Sequence, residues 1–220
     1  MIIVALLLPM VLGALLPAIN FKNRRSHGFY IEGAVLICAA LGAWALLKAP
    51  APATLSLLGG QSLALLSDGA ARILGLTFCV LWPLATLFAL EYMVHDLRQD
   101  VFFARYIALL GPALALCVSA NLLTLLIMYH LIHFGSLPLS SHSSGERAQI
   151  AARRQLYYQL VSLVLTVAGY VLLLSAGARG RFVYGGGLDT AVNERLRIAF
   201  VLLALGFGIG AAQFPFHSWL

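Results

Sequence analysis

The chain has 220 residues, 61% of them hydrophobic and only 10% charged, with a net charge of +6. A soluble domain of this size carries about 25% charged residues to dress its surface for water, so this surface must face hydrocarbon, as the mean hydropathy of +0.93 also indicates. The excess of base would suggest nucleic acid in a soluble protein, but here it sits in loops between apolar runs, where membrane topology accounts for it and no nucleic-acid partner is implied.

The fold class expected is all-α and integral to the membrane, with about seven transmembrane helices, because each span needs about 20 mostly apolar residues. A transmembrane β-barrel would show alternating segments of about ten residues, and none appear. Met1 leads straight into an apolar run with no basic segment before it and no small-residue cleavage site, so Ile2–Ile19 is predicted as a first span rather than a cleaved leader. A basic loop, Lys22 to Arg25, follows, and a second helix is predicted over Tyr30–Leu47. Between Lys48 and Arg72, the short apolar runs Thr54–Leu58 and Ser62–Leu66 flank a Gly-Gly-Gln turn and predict a small hairpin at the membrane face. Third, fourth and fifth helices are predicted over Ile73–Met93, Phe102–Ala120 and Leu122–Leu139. With only Asn121 between the last two, they are expected to be antiparallel neighbours. A Ser-rich and then basic loop leads to a sixth helix, Leu156–Ala176, and a glycine-rich, charged loop to a seventh starting near Ile198.

With the amino terminus outside, the inner loops carry Lys22, Arg24, Arg25, Arg98, Arg105, Arg147, Arg153 and Arg154. The outer loops carry Lys48, Arg72, Arg179, Arg181, Arg195 and Arg197, so the bias is eight against six. It is small, but the first loop usually dominates orientation.

No lysine lies within an apolar run, and Glu32 and Glu91 are read as lying near helix ends. The deepest ionisable groups are then His130 and His133, which at i and i+3 share one face of the fifth helix. An ionisable side chain inside the membrane costs several kcal/mol unless it is paired, and is a functional candidate for that reason. Histidine suits proton relay, since its pKa near about 6.5 lets it load and unload. The plainer alternative is a neutral imidazole bonded to a neighbouring helix. Partners on offer are Ser162, Thr166 and Tyr170, which repeat at i+4 along the sixth helix, and Gln213 and His217 beyond the seventh. Two histidines without a nearby acid make a poor metal site, and Cys38, Cys79 and Cys117 lack ligand spacing, so neither metal nor cofactor is expected.

The stretch from Gly206 to Leu220 is the most distinctive. Gly208 and Gly210 weaken the backbone ladder and Pro215 removes a donor, which predicts a helix break. His217 lies just past it, either where a water file reaches or, with Trp219, at the membrane interface.

This stretch, Gly-Phe-Gly-Ile-Gly-Ala-Ala-Gln-Phe-Pro-Phe-His-Ser-Trp-Leu, resembles the broken seventh helix of the antiporter-like subunits shared by respiratory complex I, Mrp-type cation/proton antiporters and membrane-bound hydrogenases. That helix typically reads Gly-Ile-Lys-Ala-Ala-x-Phe-Pro-x-His-x-Trp-Leu-Pro-Asp-Ala. The segment Ala120–Leu131, followed by Pro138-Leu139, resembles the family's fifth helix, Asn-Leu-x-Thr-Leu-Phe-x-Phe-Tyr-Glu-Leu. The wording around Ala211 to His217 favours the D-like branch of the Mrp proteins. The family has about fourteen helices in two inverted five-helix repeats, so the resemblance implies a fragment, a split half or a degenerate paralogue. It implies three amino-terminal helices with the hairpin over residues 1–100 and an incomplete first repeat over 101–220. In the family a fifth-helix glutamate and a seventh-helix lysine form a charge pair. His130 stands at the glutamate position and Gly210 at the lysine position, and the two are expected to face each other.

The function implied is a multi-pass subunit, in a bacterial inner membrane, of a multisubunit proton-conducting complex, either a cation/proton antiporter or an NADH:quinone oxidoreductase-like assembly. It would not be an enzyme on its own. Its partners would be other membrane subunits, the bilayer, and protons, with sodium left open. The residues assigned to the proton path are His130, His133, His217 and Gln213. The alternative is a structural spacer without transport, which the loss of both charged residues favours. Cysteine labelling at Ser143 and Gly186 is expected to report opposite faces of the membrane, with Ser143 inside; labelling of both from one face overturns the topology.

Overall fold

Lipid offers no partner to a backbone N–H or C=O, so an apolar run can cross it only as a helix that satisfies its own ladder. In the computed structural model, which describes all residues except 22, 49, 50, 58, 59, 97, 143, 144, 179, 183–192 and 220, every predicted span is such a helix. Among the described residues there are seven: α1 (Ile2–Leu15), α2 (Arg24–Leu47), α3 (Gly69–Tyr92), α4 (Gln99–Cys117), α5 (Leu122–Ser140), α6 (Glu146–Ser175) and α7 (Glu194–Gly210). Helices α2 to α6 are long and apolar enough to cross a membrane, α3 together with the turn to His95; α1 and its 3-10 extension form a shorter apolar helix, Ile2–Ala18. This is a multi-pass membrane protein. Strands β1 (Ala53–Ser56) and β2 (Ser62–Leu65) pair as the predicted hairpin, of which Leu58 and Gly59 lie outside the described residues. Lys22, Arg179, Ser143 and Gly186, which bear on the topology, also lie outside them.

Several helices start earlier than the apolar pattern suggests. Helix α6 begins ten residues before Leu156, and its 30 residues span about 45 Å, well beyond the ~30 Å hydrocarbon core. Its first turns, with Arg147, Arg153 and Arg154, are helical because the ladder continues into the interface, although their side chains are not apolar. Helix α2 likewise starts at Arg24 rather than Tyr30. This corrects the reading of Glu32, which sits two turns inside α2 and not at its end. Asparagine and aspartate caps set other starts: Asp68 accepts from Ala71 N at 2.7 Å and Asn193 from Leu196 N at 2.9 Å. The link between α4 and α5 is four residues, Val118 to Asn121, rather than one, because α4 ends at Cys117 and Asn121 must stay extended to cap α5.

The chain divides into two compact units. The first, Met1–Ala53 with Leu65–Ser119, holds α1 to α4. Its buried residues form two clusters, one around Cys38, Leu110 and Leu114, the other around Leu16, Ile31, Val35, Phe103 and Ile107. Glycines let α1 and α4 touch backbone to backbone: a Cβ at Gly13 would collide with the Ala104 carbonyl, and one at Gly111 with the Leu6 carbonyl. Outward-facing Phe29, Phe88 and Tyr92 are more than 70% exposed, as a lipid-facing surface requires.

The second unit, Thr54–Ala64 with Ala120–Leu220, holds most of the hairpin and α5 to α7. The start of α5 is tied to the hairpin. Asn121 Oδ1 accepts from Thr124 N at 2.8 Å, Asn121 Nδ2 donates to the Ser62 carbonyl at 2.6 Å, and Ala64 N donates to Thr124 Oγ1 at 2.8 Å. On the other side, Leu122 N donates to the Gly180 carbonyl at 2.8 Å.

The α1–α4 contact makes a test of packing. Gly111→Val is expected to cost about 1–3 kcal/mol, the usual range for overpacking, and to lower the melting temperature of the detergent-solubilised chain. Gly33→Val, where the added side chain meets open space, should leave it unchanged. Equal melting temperatures would contradict the close approach.

Candidate functional site

Helix α6 presents one polar stripe to its neighbours. Gln155, Gln159, Ser162, Thr166 and Tyr170 recur at three- and four-residue steps, so they share a face, and all five are buried. Helix α7 comes close enough to reach them because it has glycine at the crossing. A Cβ at Gly206 would stand 2.5 Å from Thr166 Cγ2 and 3.1 Å from the Ser162 carbonyl, and a Cβ at Gly169 would stand 2.8 Å from Leu203 Cγ. Ser162 Oγ donates to the Gly206 carbonyl at 2.7 Å.

His130, 6% exposed, turns from α5 towards this stripe, with Nε2 2.9 Å from Thr166 Oγ1. Thr166 Oγ1 lies 2.8 Å from the Ser162 carbonyl and 3.0 Å from that of Leu163, so its single hydrogen is donated there. It must therefore accept from His130, which assigns the proton of the neutral ring to Nε2. Nδ1 is then a bare lone pair, buried and without a hydrogen-bond partner among the described residues. About two turns before Thr166 on α6, Gln159 is 1% exposed and both its amide atoms are likewise unpartnered among the described residues. The stripe ends in bonded residues on both sides: Gln155 Nε2 donates to Ser136 Oγ at 3.1 Å and Tyr170 Oη to Gln61 Oε1 at 2.6 Å.

The other face of α5 meets α7. Tyr129 and His133, at i and i+4, stack edge to face with ring centres 4.3 Å apart, and Tyr129 Oη donates to the Phe207 carbonyl at 3.1 Å. A Cβ at Gly210 would overlap Tyr129 Oη and lie 3.2 Å from His133 Nε2. What faces Gly210 is thus the Tyr129–His133 pair. His130, one residue and about 100° further round the helix, points to α6 instead. Space that a side chain at 210 would need is filled by a phenol.

Helix α7 ends at Gly210, with Gly208 inside it, and residues 211–219 run on as turns. Ala212 has φ +52° in the left-handed region, where Gln213 N donates to the Gly208 carbonyl at 2.8 Å. Pro215 lies within these turns. Gln213 and His217 are exposed, His217 stacking on Phe214 at 5.8 Å, and neither is among the contacts of His130. Trp219 Nε1 donates to the Ile209 carbonyl at 3.0 Å. The site thus gathers His130, His133 and Gly210 and leaves Gln213 and His217 at the surface of the unit. It adds Tyr129 and Gln159, which the sequence reading passed over. Their signals were a tyrosine four residues before His133 and a glutamine extending the Ser162–Thr166 stripe by one turn.

Because Tyr129 occupies the space beside position 210, Gly210→Ala is expected to destabilise the chain by about 1–3 kcal/mol. Adding Tyr129→Leu should restore stability in the double variant, read as membrane expression and thermal midpoint. Additive losses would show that the two positions do not touch.

No family model matches the chain. It is 31% identical over 166 residues to the N subunit of NADH-quinone oxidoreductase from Deinococcus radiodurans, covering 71% of this chain and 33% of the relative. It is 27% identical over 170 residues to a probable K(+)/H(+) antiporter protein, the A/B subunit, of Rhizobium meliloti, covering 73% and 16%. To the A1 subunit of a Na(+)/H(+) antiporter from Staphylococcus haemolyticus it is 24% identical, covering 73% and 20%. The chain therefore spans a third or less of the length of these relatives. In fold it matches a chain of respiratory complex I from Thermus thermophilus, at a TM-score of 0.78 and 23% identity, over 100% of this chain and 46% of that one. It also matches one in an archaeal membrane-bound sulfane sulfur reductase, at 0.80 and 17%, over 98% and 46%. Two motifs in register, helix for helix, and relatives of one kind lead to one conclusion: the chain belongs to the antiporter-like family of membrane subunits found in Mrp-type antiporters and NADH-quinone oxidoreductases.

Proposed function

We propose that this chain is a membrane subunit of a multisubunit proton-conducting complex in a bacterial inner membrane, and that His130 is its proton-carrying group in place of the family's glutamate–lysine pair. The observation that carries this reading is the buried imidazole itself. Thr166 holds Nε2–H at 2.9 Å, and Nδ1 is left as a buried base without a hydrogen-bond partner among the described residues. A proton binds Nδ1, the Nε2 proton leaves on the Thr166 side, and a ring flip or water exchange resets the site. The relay is neutral at rest, so it needs no buried countercharge. A proton suits it better than sodium, because a lone imidazole with amide and hydroxyl neighbours lacks the oxygen-rich, anionic cage that a hard cation prefers. The partners are other membrane subunits of the complex.

Gly210 favours a second reading, a spacer that fills the membrane arm without carrying protons. The family's lysine is absent and its space is closed by Tyr129. The two readings part on one experiment. The chain is purified with its associated membrane subunits, reconstituted into vesicles, and proton flux is compared for wild type and His130→Leu. Proton carriage predicts a loss of about a hundredfold or more, the low end of the effect usual for removing a positioned acid–base group, with the same subunits still co-purifying. Unchanged flux in an intact complex would establish the spacer.

A further inference from the structure

A cavity of about 530 Å³ opens in the first unit where the start of α2 meets the end of α3. It is lined by Arg24, Arg25 and Gly28 of α2 and by Leu87, Leu90 and Glu91 of α3. Two further wall residues are already engaged. His27 meets Asp100 at 2.7 Å, and Gln99 Nε2 donates to the Met93 and Val94 carbonyls at 2.5 and 3.0 Å. The two guanidinium groups are not. Neither Arg24 nor Arg25 has an ion pair or a side-chain hydrogen bond among the described residues, and Glu91 pairs with neither.

The backbone adds to this unmet positive charge. The first hydrogen bond of α2 runs from His27 N to the Asn23 carbonyl at 3.2 Å, so the N–H groups of Arg24, Arg25 and Ser26 have no acceptor within the helix. Asn23 does not cap them with its side chain, and the first turn holds no acid. A helix start in this state attracts an anion, and two unpaired arginines stand at the same cavity.

The rest of the wall says which anion fits. Leu87 and Leu90 make one side apolar, and Leu87 is 53% exposed on a helix long and apolar enough to cross the membrane. The ligand therefore needs an apolar body as well as a charged head. Glu91 on the same wall opposes a dianion and favours the single negative charge of a phosphodiester. A phospholipid has both parts, and its phosphate lies where a spanning helix such as α2 leaves the hydrocarbon. Gly28 keeps the wall open, since a Cβ there would meet nothing within 4 Å.

We propose that this cavity holds the phosphodiester head of a phospholipid, with Arg24 and Arg25 on the phosphate and an acyl chain along Leu87 and Leu90. None of its residues belongs to the unit that contains His130.

Native mass spectrometry of the full chain, purified in mild detergent and stripped of lipid, tests this with phosphatidylglycerol as the probe. Wild type is expected to hold one phosphatidylglycerol. Arg24→Gln combined with Arg25→Gln should weaken it about thirtyfold, the share that two arginines contribute to lipid attraction. Arg153→Gln with Arg154→Gln, which removes the same charge from exposed positions of α6, should leave binding as it was. Gly28→Leu fills the cavity and keeps both arginines, so it should abolish binding while the thermal midpoint does not fall. Millimolar inorganic phosphate should not displace the lipid. Binding that survives both changes on α2, an equal loss in the α6 variant, or displacement by inorganic phosphate would overturn the proposal. Because Gly28→Leu leaves the charges in place, an arginine variant that fails to fold does not decide the outcome.

Discussion

Inside a bilayer a polar side chain must be satisfied by the protein itself, and this constraint organises the second unit. Helix α6 carries five polar residues on one face, and four of them have partners on other elements: Ser136 and His130 from α5, the Gly206 carbonyl from α7, and Gln61 from the hairpin. Those bonds are short, so the helices must come close, and glycine at positions 169 and 206 is what permits it. Polar satisfaction and close packing are therefore one requirement seen from two sides. Gln159 is the exception: its amide has no partner among the described residues.

The same constraint explains why a neutral site can stand where the family resemblance implies a charge pair. A buried ion pair must recover the desolvation of both partners through their mutual attraction, and removing one partner strands the other. Here neither position carries a fixed charge. Histidine is neutral at the fifth-helix position, glycine occupies the seventh, and a tyrosine closes the gap between α5 and α7 with a hydrogen bond to the Phe207 carbonyl. The network that results has polarity without fixed charge. The proton carriage proposed for it runs by hydrogen-bond exchange, and the strong low-dielectric fields that couple charged sites to one another are absent from it at rest. A chain built this way suits local relay better than long-range electrostatic coupling.

Much of this was legible in the residues. Seven apolar runs, the hairpin, and the two motifs around Asn121 and Pro215 carry the fold class and the family, because hydrocarbon admits only helices and the run lengths are set by bilayer thickness. His130 was legible too, as the ionisable group furthest from any loop. Helix starts were not, since the helical ladder continues past the apolar boundary: Glu32 looked terminal only because Arg24 to Phe29 are not all apolar, and they are helical nonetheless.

Sequence alone thus determined that the chain crosses the membrane, roughly where, and which side chains are costly to bury there. These are properties of single segments in a solvent of known thickness and polarity. The tertiary structure decided which costly groups meet. It turned His130 to Thr166 rather than to Gly210, set Tyr129 and His133 against α7, and joined Tyr170 to Gln61 across 109 positions of sequence. The rotation of each helix about its axis, and how close its neighbour comes, depend on packing between segments, which no single segment encodes.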